Sequence, residues 1–219
     1  MTILEAIERR HSVRRYLPRA LEPELISALN DEIAACNAEG GMDIRLVTDE
    51  AAVFNGLMAK IVFKGAKNYI VLAGPESPEL DEKAGYFGER IVIKAQQLGL
   101  NTCWAAMFSG KKYSAELPHG ERIVIIISVG YGETQGVPHK SKPLSALCKA
   151  EGEMPDWFRA GMEAVLLAPS AINRQPFMFT LSGDTVHAEP TGGVLAKIDC
   201  GIAKYHFEVA AGKENFRWK

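Results

Sequence analysis

The chain has 219 residues, of which 47% are hydrophobic and 24% charged, with a formal net charge of −2 and a pI near 6.2. This composition is typical of a globular protein with one sizeable core, and the charge argues against a dedicated nucleic-acid binder, whose domain is usually strongly basic. No apolar run approaches the roughly 20 residues of a transmembrane helix, and the first residues lack the pattern of a signal peptide. Four scattered cysteines without a CxxC pair predict reduced thiols in a cytoplasmic protein, and the histidine spacing proposes no metal site.

The first elements are predicted to be helices. A T-x-x-E capping box at Thr2 and Glu5 predicts a short helix to about Arg10. A second helix begins at Pro23 and ends at the Gly40–Gly41 pair. Strands follow at 43–48 and 68–74, with an amphipathic helix over 51–60 between them.

The middle of the chain carries the clearest strand, over 122–132, in which a continuous apolar run followed by Ser, Val and a glycine turn suits burial on both faces. A long helix over 79–98 and a buried strand or strand-loop over 101–108 precede it. Residues 132–156 are polar and rich in Gly, Pro and Lys, which predicts a linker between two halves. A helix, a hairpin through Gly183–Asp184 and a last helix near 194–211 complete the chain. Helices and strands mix without strict βαβ alternation, so the predicted fold class is α+β.

Nine residues near the N-terminus, "ERRHSVRRY", hold four arginines. If the first helix continues for one more turn, Arg10 and Arg14 lie on one face with Ser12 at its edge, an arrangement of phosphate size. The alternatives are a solvated basic helix end and a basic kinase motif at "RRHS". Nucleic acid has little support, because no second basic region with interleaved aromatics is present.

A second segment, "LLAPSAINRQPF" (166–177), reads as a loop between a core helix and a core strand. Its hydroxyl and amide side chains suit a planar polar ligand, although a turn that caps its own backbone explains the same residues. The "HKSK" patch (139–142) is either solvated or a second contact to the same phosphate. No G-x-G-x-x-G after a strand, Walker loop or hydrolase triad can be recognised.

These segments, together with "LGLNTCW" (98–104) and the late Gly-Tyr turn followed by "KSKPL", resemble the FMN-dependent nitroreductase superfamily. The resemblance implies a nitroreductase-like fold with a mixed or antiparallel sheet flanked by helices. The order of the motifs differs, because the Pro-Ser-x-x-Asn-x-Gln-Pro loop follows the first long helix in ordinary members and lies near residue 170 here.

Family members are homodimers with FMN at the interface, so the chain resembles two subunits fused into one. The resemblance implies two pseudo-repeated halves in one integrated domain. Residues 1–150 carry the Arg-x-Ser-x-Arg segment, and residues 151–219 form a partial second half that carries the loop. One FMN per chain is implied, and a monomer is permitted.

The resemblance also implies the cofactor contacts. The phosphate, ribityl chain and ring edge would be held by Arg10, His11, Ser12 and Arg14, joined at the phosphate by Lys140 and Lys142, while Arg9 and Arg15 are solvated. The other side of the flavin would be lined by Pro169, Ser170, Ala171 and Asn173, with Gln175 supporting the loop. The stretch from Trp104 through Ala106 to Met107 would supply backbone donors near the reducible edge of the ring.

The implied activity is that of an NAD(P)H-dependent oxidoreductase. NADH or NADPH would reduce FMN in one half of a ping-pong cycle, and a nitroaromatic, quinone or similar small oxidant would take the hydride in the other. No side chain is needed as a general acid, so no catalytic residue is assigned. Neither a metal nor a nucleic-acid or membrane partner is expected. The alternative is a flavin-binding protein with a different flavin reaction or with a non-catalytic sensor or scaffold role.

Overall fold

The computed structural model describes residues 1–54, 56–106 and 117–219, with the backbone alone described at positions 57 and 58. They form two compact units. We call residues 10–80 and 91–137 the central unit, and residues 1–9, 81–90 and 138–219 the terminal unit. These compact units are not the halves 1–150 and 151–219, which were inferred from the family resemblance. The division into those two halves stays a prediction.

The central unit is built on an antiparallel sheet with the strand order β1-β2-β4-β3. The strands are Asp43–Val47 (β1), Asn68–Pro75 (β2), Asn101–Ala105 (β3) and Glu121–Gly130 (β4). Every residue of β2 except the last is buried, as its continuous apolar sequence predicts for a central strand. The unit also contains helices α2 (Pro23–Gly40) and α3 (Leu57–Val62).

The chain passes from α2 to β1 with almost no connection. Gly41 ends the helix in the left-handed conformation (φ 60°), and the side chain of Asn37 then pairs with the backbone of Ile44 in both directions. The Asn37 amide donates to Ile44 O (3.0 Å) and accepts from Ile44 N–H (2.8 Å). The place where the resemblance puts a flavin loop in ordinary family members is therefore a tight junction here.

The terminal unit has a mixed sheet in the order β5-β6-β7-β8. The strands are Cys148–Ala150 (β5), Phe177–Ser182 (β6), Thr185–Pro190 (β7) and Arg217–Trp218 (β8), and the outer two pair in parallel with their neighbours. The predicted hairpin joins β6 to β7, with Ser182 opposite Thr185. Helices α1 (Ile3–Arg9), α5 (Asp156–Val165) and α6 (Ala196–Ala211) also belong here. A core of fully buried rings joins α5, β6 and α6, with Phe158 and Phe179 centred 5.4 and 5.3 Å from Phe207.

Helix α4 (Leu80–Gln97) contributes residues 81–90 to the terminal unit, where they cross α6 at backbone contact. A Cβ atom on Gly85 would lie 2.1 Å from Ile198 O, and one on Gly201 would lie 2.0 Å from Glu82 O. Only glycine permits such an approach. The contact is reciprocal, because in each helix the glycine comes three residues after the carbonyl that the opposite glycine meets.

The first helix ends at Arg9, in agreement with the predicted end near Arg10, and the chain beyond it pairs with β3. Two predicted elements differ from the structure. The helix predicted over 51–60 is a 3-10 turn at Ala52–Phe54 followed by α3, since Gly56 between them has extended backbone angles. The predicted linker contains strand β5, which forms because Leu147 and Cys148 are buried apolar residues beside β6.

Candidate functional site

The arginine-rich segment is an extended strand-like stretch, not a helix. Val13 N–H donates to Thr102 O (2.9 Å), and Ser12 forms a parallel bridge with Thr102. The buried Tyr16 fixes its far end, because the phenol donates to Val13 O (2.7 Å) and lies 2.7 Å from Ser128 Oγ. Burial raises the pKa of the Tyr16 phenol, so this group stays a neutral donor.

The predicted phosphate residues differ in burial along this segment. Arg10 is buried, Ser12 is half-buried and Arg14 is exposed. Ser12 pairs with Thr102, the neighbour of Cys103 in β3. Burial raises the pKa of Cys103, while the charges of the two arginines and a hydrogen bond from Ser12 oppose that rise. The first helix does not continue past Arg9, so Arg10 and Arg14 do not share a helix face. Their joint binding of a phosphate stays a prediction.

The Gly-Tyr turn after β4 is fastened to the same segment. Glu133 N–H donates to Arg15 O (2.9 Å), and Gly132 N–H donates to the Asn101 side chain (2.9 Å). The chain then passes so close to the segment that a Cβ on Gly136 would lie 2.7 Å from that of the half-buried His11. Sequence reasoning missed the need for glycine here, although two glycines after a strand were a signal for close backbone approach.

The β3 residues expected at the ring edge are only partly described. Trp104 lies half-buried in β3, and Ala106 is exposed just after the strand. Met107, also predicted to contact the cofactor, lies outside the described residues.

The loop from Pro169 to Gln175 has an unusual backbone. Ile172 (φ 46°), Asn173 (φ 57°) and Gln175 (φ 46°) all adopt left-handed angles. Non-glycine residues are uncommon there, and each costs on the order of 1 kcal/mol or more. Strain of this kind persists only where neighbouring contacts enforce it.

Hydrogen bonds enforce the C-terminal part of this loop. Gln175 N–H donates to Ser170 Oγ (2.9 Å). The Asn173 and Gln175 amide groups both donate to Lys140 O (2.8 and 3.1 Å), and Gln175 Nε2 also donates to Asn173 Oδ1 (3.0 Å). Lys142 N–H donates to Gln175 Oε1 (2.8 Å), and its ammonium donates to Gln175 O (3.3 Å). The terminal unit thus brings the predicted loop together with the predicted lysine segment.

The N-terminal part of the loop is held by a residue that sequence reasoning missed. Ala171 N–H donates to Asp199 Oδ1 (3.0 Å), and Asp199 is 4% exposed in the first turn of α6. Burial raises the pKa of Asp199 to about 6. The available signal was an acid among the mainly apolar residues of the helical stretch "AKIDCGIA".

The predicted residues therefore fall into two groups. The central unit contains Arg10, His11, Ser12 and Arg14, whose segment pairs with β3, together with Trp104 of β3 and Ala106 just after it. The terminal unit brings together Lys140, Lys142, Pro169, Ser170, Ala171, Asn173 and Gln175. Within the described ranges, no three His, Cys, Asp or Glu side chains are grouped to hold a metal ion. No helix in that part of the chain is long and apolar enough to cross a membrane.

Comparison with known proteins adds the family. The model of the family described as "Putative TM nitroreductase" matches residues 2–211. The chain belongs to this nitroreductase family. It is thus a nitroreductase-type oxidoreductase by membership, as the motifs predicted. A search of curated proteins finds no match.

Solved structures of the nitroreductase family confirm the α+β fold. A "putative nitroreductase" from Thermotoga maritima has a TM-score of 0.68 and 24% identity, covering 96% of this chain and 83% of its own. A nitroreductase family protein from Clostridium difficile gives 0.54 and 19%, covering 67% and 96%. A further "putative nitroreductase", from Desulfovibrio desulfuricans and in complex with FMN, gives 0.56 and 19%, covering 71% and 98%.

Proposed function

We propose that the chain binds FMN, and that it is an NAD(P)H-dependent oxidoreductase acting on a nitroaromatic, quinone or similar small oxidant. The observation that carries the proposal is the pairing of the segment of Arg10, Ser12 and Arg14 with Thr102 in β3, which holds this arginine-rich stretch in an extended conformation. Membership of the nitroreductase family supports it, and the Desulfovibrio desulfuricans neighbour is described in complex with FMN.

The donor set fits the phosphate of FMN. Two guanidinium groups offer forked N–H donors to a dianion, and the Ser12 hydroxyl adds a third donor. Arg10 is 3% exposed, so its position is fixed by packing before any ligand binds. The prediction that Lys140 and Lys142 also bind the phosphate stays a prediction.

The loop is suited to contact the flavin ring through its backbone rather than through the side-chain amides of Asn173 and Gln175. The Asn173 and Gln175 side chains are used to hold the loop on Lys140 O, so they position the backbone of residues 169–173. The Ser170 hydroxyl accepts from Gln175 N–H and keeps its own proton to donate. Ile172 is 84% exposed at the apex and offers an apolar surface to a planar ring.

Bound FMN would supply the redox chemistry, accepting a hydride from NADH or NADPH and passing it to the oxidant. The chain's residues bind the cofactor, orient it and limit access to it, and none is assigned as a general acid or base. A cytoplasmic location is part of the proposal, and the four cysteines, all buried and outside disulfides, are consistent with it.

The reciprocal crossing of α4 and α6 supports the fused-dimer interpretation. A contact in which residue i meets j and j meets i is the signature of a two-fold axis between equivalent surfaces. Gly85 with Ile198 and Gly201 with Glu82 form such a pair, with the same three-residue spacing in each helix. We infer that α4 and α6 are equivalent helices of the halves 1–150 and 151–219, and that a single chain completes one FMN site.

Flavin content tests the proposal directly. Purified protein should be yellow or should take up FMN, and NADH or NADPH should bleach the flavin absorption. Arg14→Ala should weaken FMN binding by about tenfold or more, since a hydrogen bond to a charged group contributes about 1.5–3 kcal/mol. Arg15→Ala is the matched control, since Arg15 is a neighbouring exposed arginine that is predicted to be solvated, and it should bind FMN like the parent.

A colourless protein that cannot be reconstituted with FMN contradicts the proposal. Flavin that binds but is not bleached by either nicotinamide favours the alternative, a flavin-binding protein without this turnover. Equal affinity in the Arg14→Ala and Arg15→Ala variants would show that the extended segment does not bind the phosphate.

A further inference from the structure

A buried carboxylate contacts the N-terminal part of the loop, away from the hydrogen bonds of Gln175. Asp199 belongs to the first turn of α6 and is 4% exposed. Its Oδ1 atom accepts the Ala171 N–H at 3.0 Å, across 28 positions of sequence. A carboxylate acceptor makes this hydrogen bond stronger than one between neutral groups.

Ala171 comes just before the strained part of the loop. Ile172 follows it with φ 46° and ψ 29°, and Asn173 with φ 57°. A β-branched residue disfavours this region, and Ile172, being 84% exposed, gains almost no burial in return. The conformation is thus enforced from its two ends, by Asp199 at Ala171 and by the Gln175 contacts with residues 140–142.

The equivalent position in α4 provides an internal comparison. When Gly201 is matched to Gly85 through the reciprocal crossing, Asp199 corresponds to Lys83, two residues before each glycine. Lys83 is exposed, and its half of the chain passes from α2 to β1 without a loop. An acid therefore stands at this helical position where a loop follows the preceding helix, and a lysine stands there where no loop does.

We propose that Asp199 is a positioning residue, which holds Ala171 N–H and so sets the loop backbone that faces the flavin. The effect of Asp199 on flavin binding rests on the proposed function, whereas its effect on the loop conformation does not. The simpler reading is that Asp199 only favours the N-terminus of α6 through the helix dipole. The two roles make different requirements of residue 199. An interaction with the helix dipole needs a negative charge, whereas the hydrogen bond to Ala171 N–H needs only an acceptor atom.

Two substitutions separate charge from acceptor. Asp199→Asn removes the charge and keeps Oδ1, while Asp199→Leu has a similar size and removes both. Asp156→Asn is the control, since Asp156 is an exposed acid in the first turn of α5. Circular dichroism checks that each variant is folded.

The first readout is hydrogen exchange of the Ala171 amide by NMR in protein without FMN. The Leu variant should exchange about tenfold faster or more than the parent, and the Asn and Asp156→Asn variants should stay within about threefold. The second readout is FMN affinity by fluorescence quenching, where the Leu variant should lose about tenfold or more and the Asn variant about threefold at most.

The outcomes are distinct. Equal exchange in the Leu variant and the parent, or equal impairment of the Leu and Asn variants, would overturn the role of Asp199. If the Leu variant does not fold, the Asn variant alone decides, because loss of Ala171 protection in it overturns the proposal and retention supports it. A parent protein that binds no FMN would refute the proposed function, while the exchange data would still test Asp199.

Discussion

Replacing Gln175 by alanine should loosen the loop by an amount that the structure lets us estimate. The side chain is 2% exposed and makes three hydrogen bonds, with Lys140 O, Asn173 Oδ1 and Lys142 N–H. Each contributes about 1 kcal/mol net, and an N–H left without an acceptor costs about 1–3 kcal/mol if water does not reach it. We expect Gln175→Ala to lower the free energy of unfolding by about 2–4 kcal/mol.

Urea unfolding followed by tryptophan fluorescence measures this loss. The control is Gln135→Ala, because the exposed Gln135 accepts one hydrogen bond from the Asn101 side chain (3.0 Å), and its loss should cost about 1 kcal/mol at most. Gln175→Glu keeps the acceptor for Lys142 N–H but turns an oxygen towards Lys140 O, so it should be no more stable than the alanine variant at pH 7. A Gln175→Ala variant within about 0.5 kcal/mol of the Gln135→Ala variant would refute the reasoning.

Three further expectations follow from burial and close contact. Because the pKa of Asp199 is raised from 3.8 to about 6, the folded protein binds more protons than the unfolded chain between these values. Its stabilising contribution is therefore complete below about pH 4 and is lost as pH rises through 6, so the parent should lose up to about 3 kcal/mol relative to Asp199→Asn between pH 4 and 7 in urea titrations. Parallel pH profiles would contradict this. Gly201→Ala places a Cβ 2.0 Å from Glu82 O and should cost about 1–3 kcal/mol or more, measured by thermal unfolding, and an unchanged Tm would contradict the crossing geometry. Tyr16→Phe removes the phenol oxygen that lies beside Ser128 Oγ, and it should lower the free energy of unfolding in urea by about 1–2 kcal/mol. An unchanged free energy of unfolding is expected only if water replaces the phenol oxygen.

Much of the fold could be predicted because local patterns decide it. The unbroken apolar run of β2, the turn at Gly183–Asp184 and the proline at the start of α2 each act within a few residues. The loop was also recognisable, since its hydroxyl and amide side chains are concentrated between two prolines. Gln175 was predicted to support it, and its contacts with residues 140–142 agree with that prediction.

The remaining features depend on partners that are distant in sequence. The segment of Arg10, Ser12 and Arg14 is extended because it pairs with Thr102, and no local pattern predicts that pairing. A helix was the natural extrapolation from the capping box at Thr2. Asp199 was missed for the same reason, since its partner Ala171 is contacted only after α6 packs beside the loop.

The backbone contact between α4 and α6 also has a genetic consequence. In a homodimer of identical subunits, a change at one face of the symmetry axis appears at once at the other face. Here Gly85 and Gly201 are separate codons of one gene, so each half can vary while its counterpart stays constant. Under the proposed equivalence of α4 and α6, Lys83 and Asp199 already differ at matched positions. If one chain completes the proposed site, one part of that site can change in sequence without the same change appearing in its counterpart.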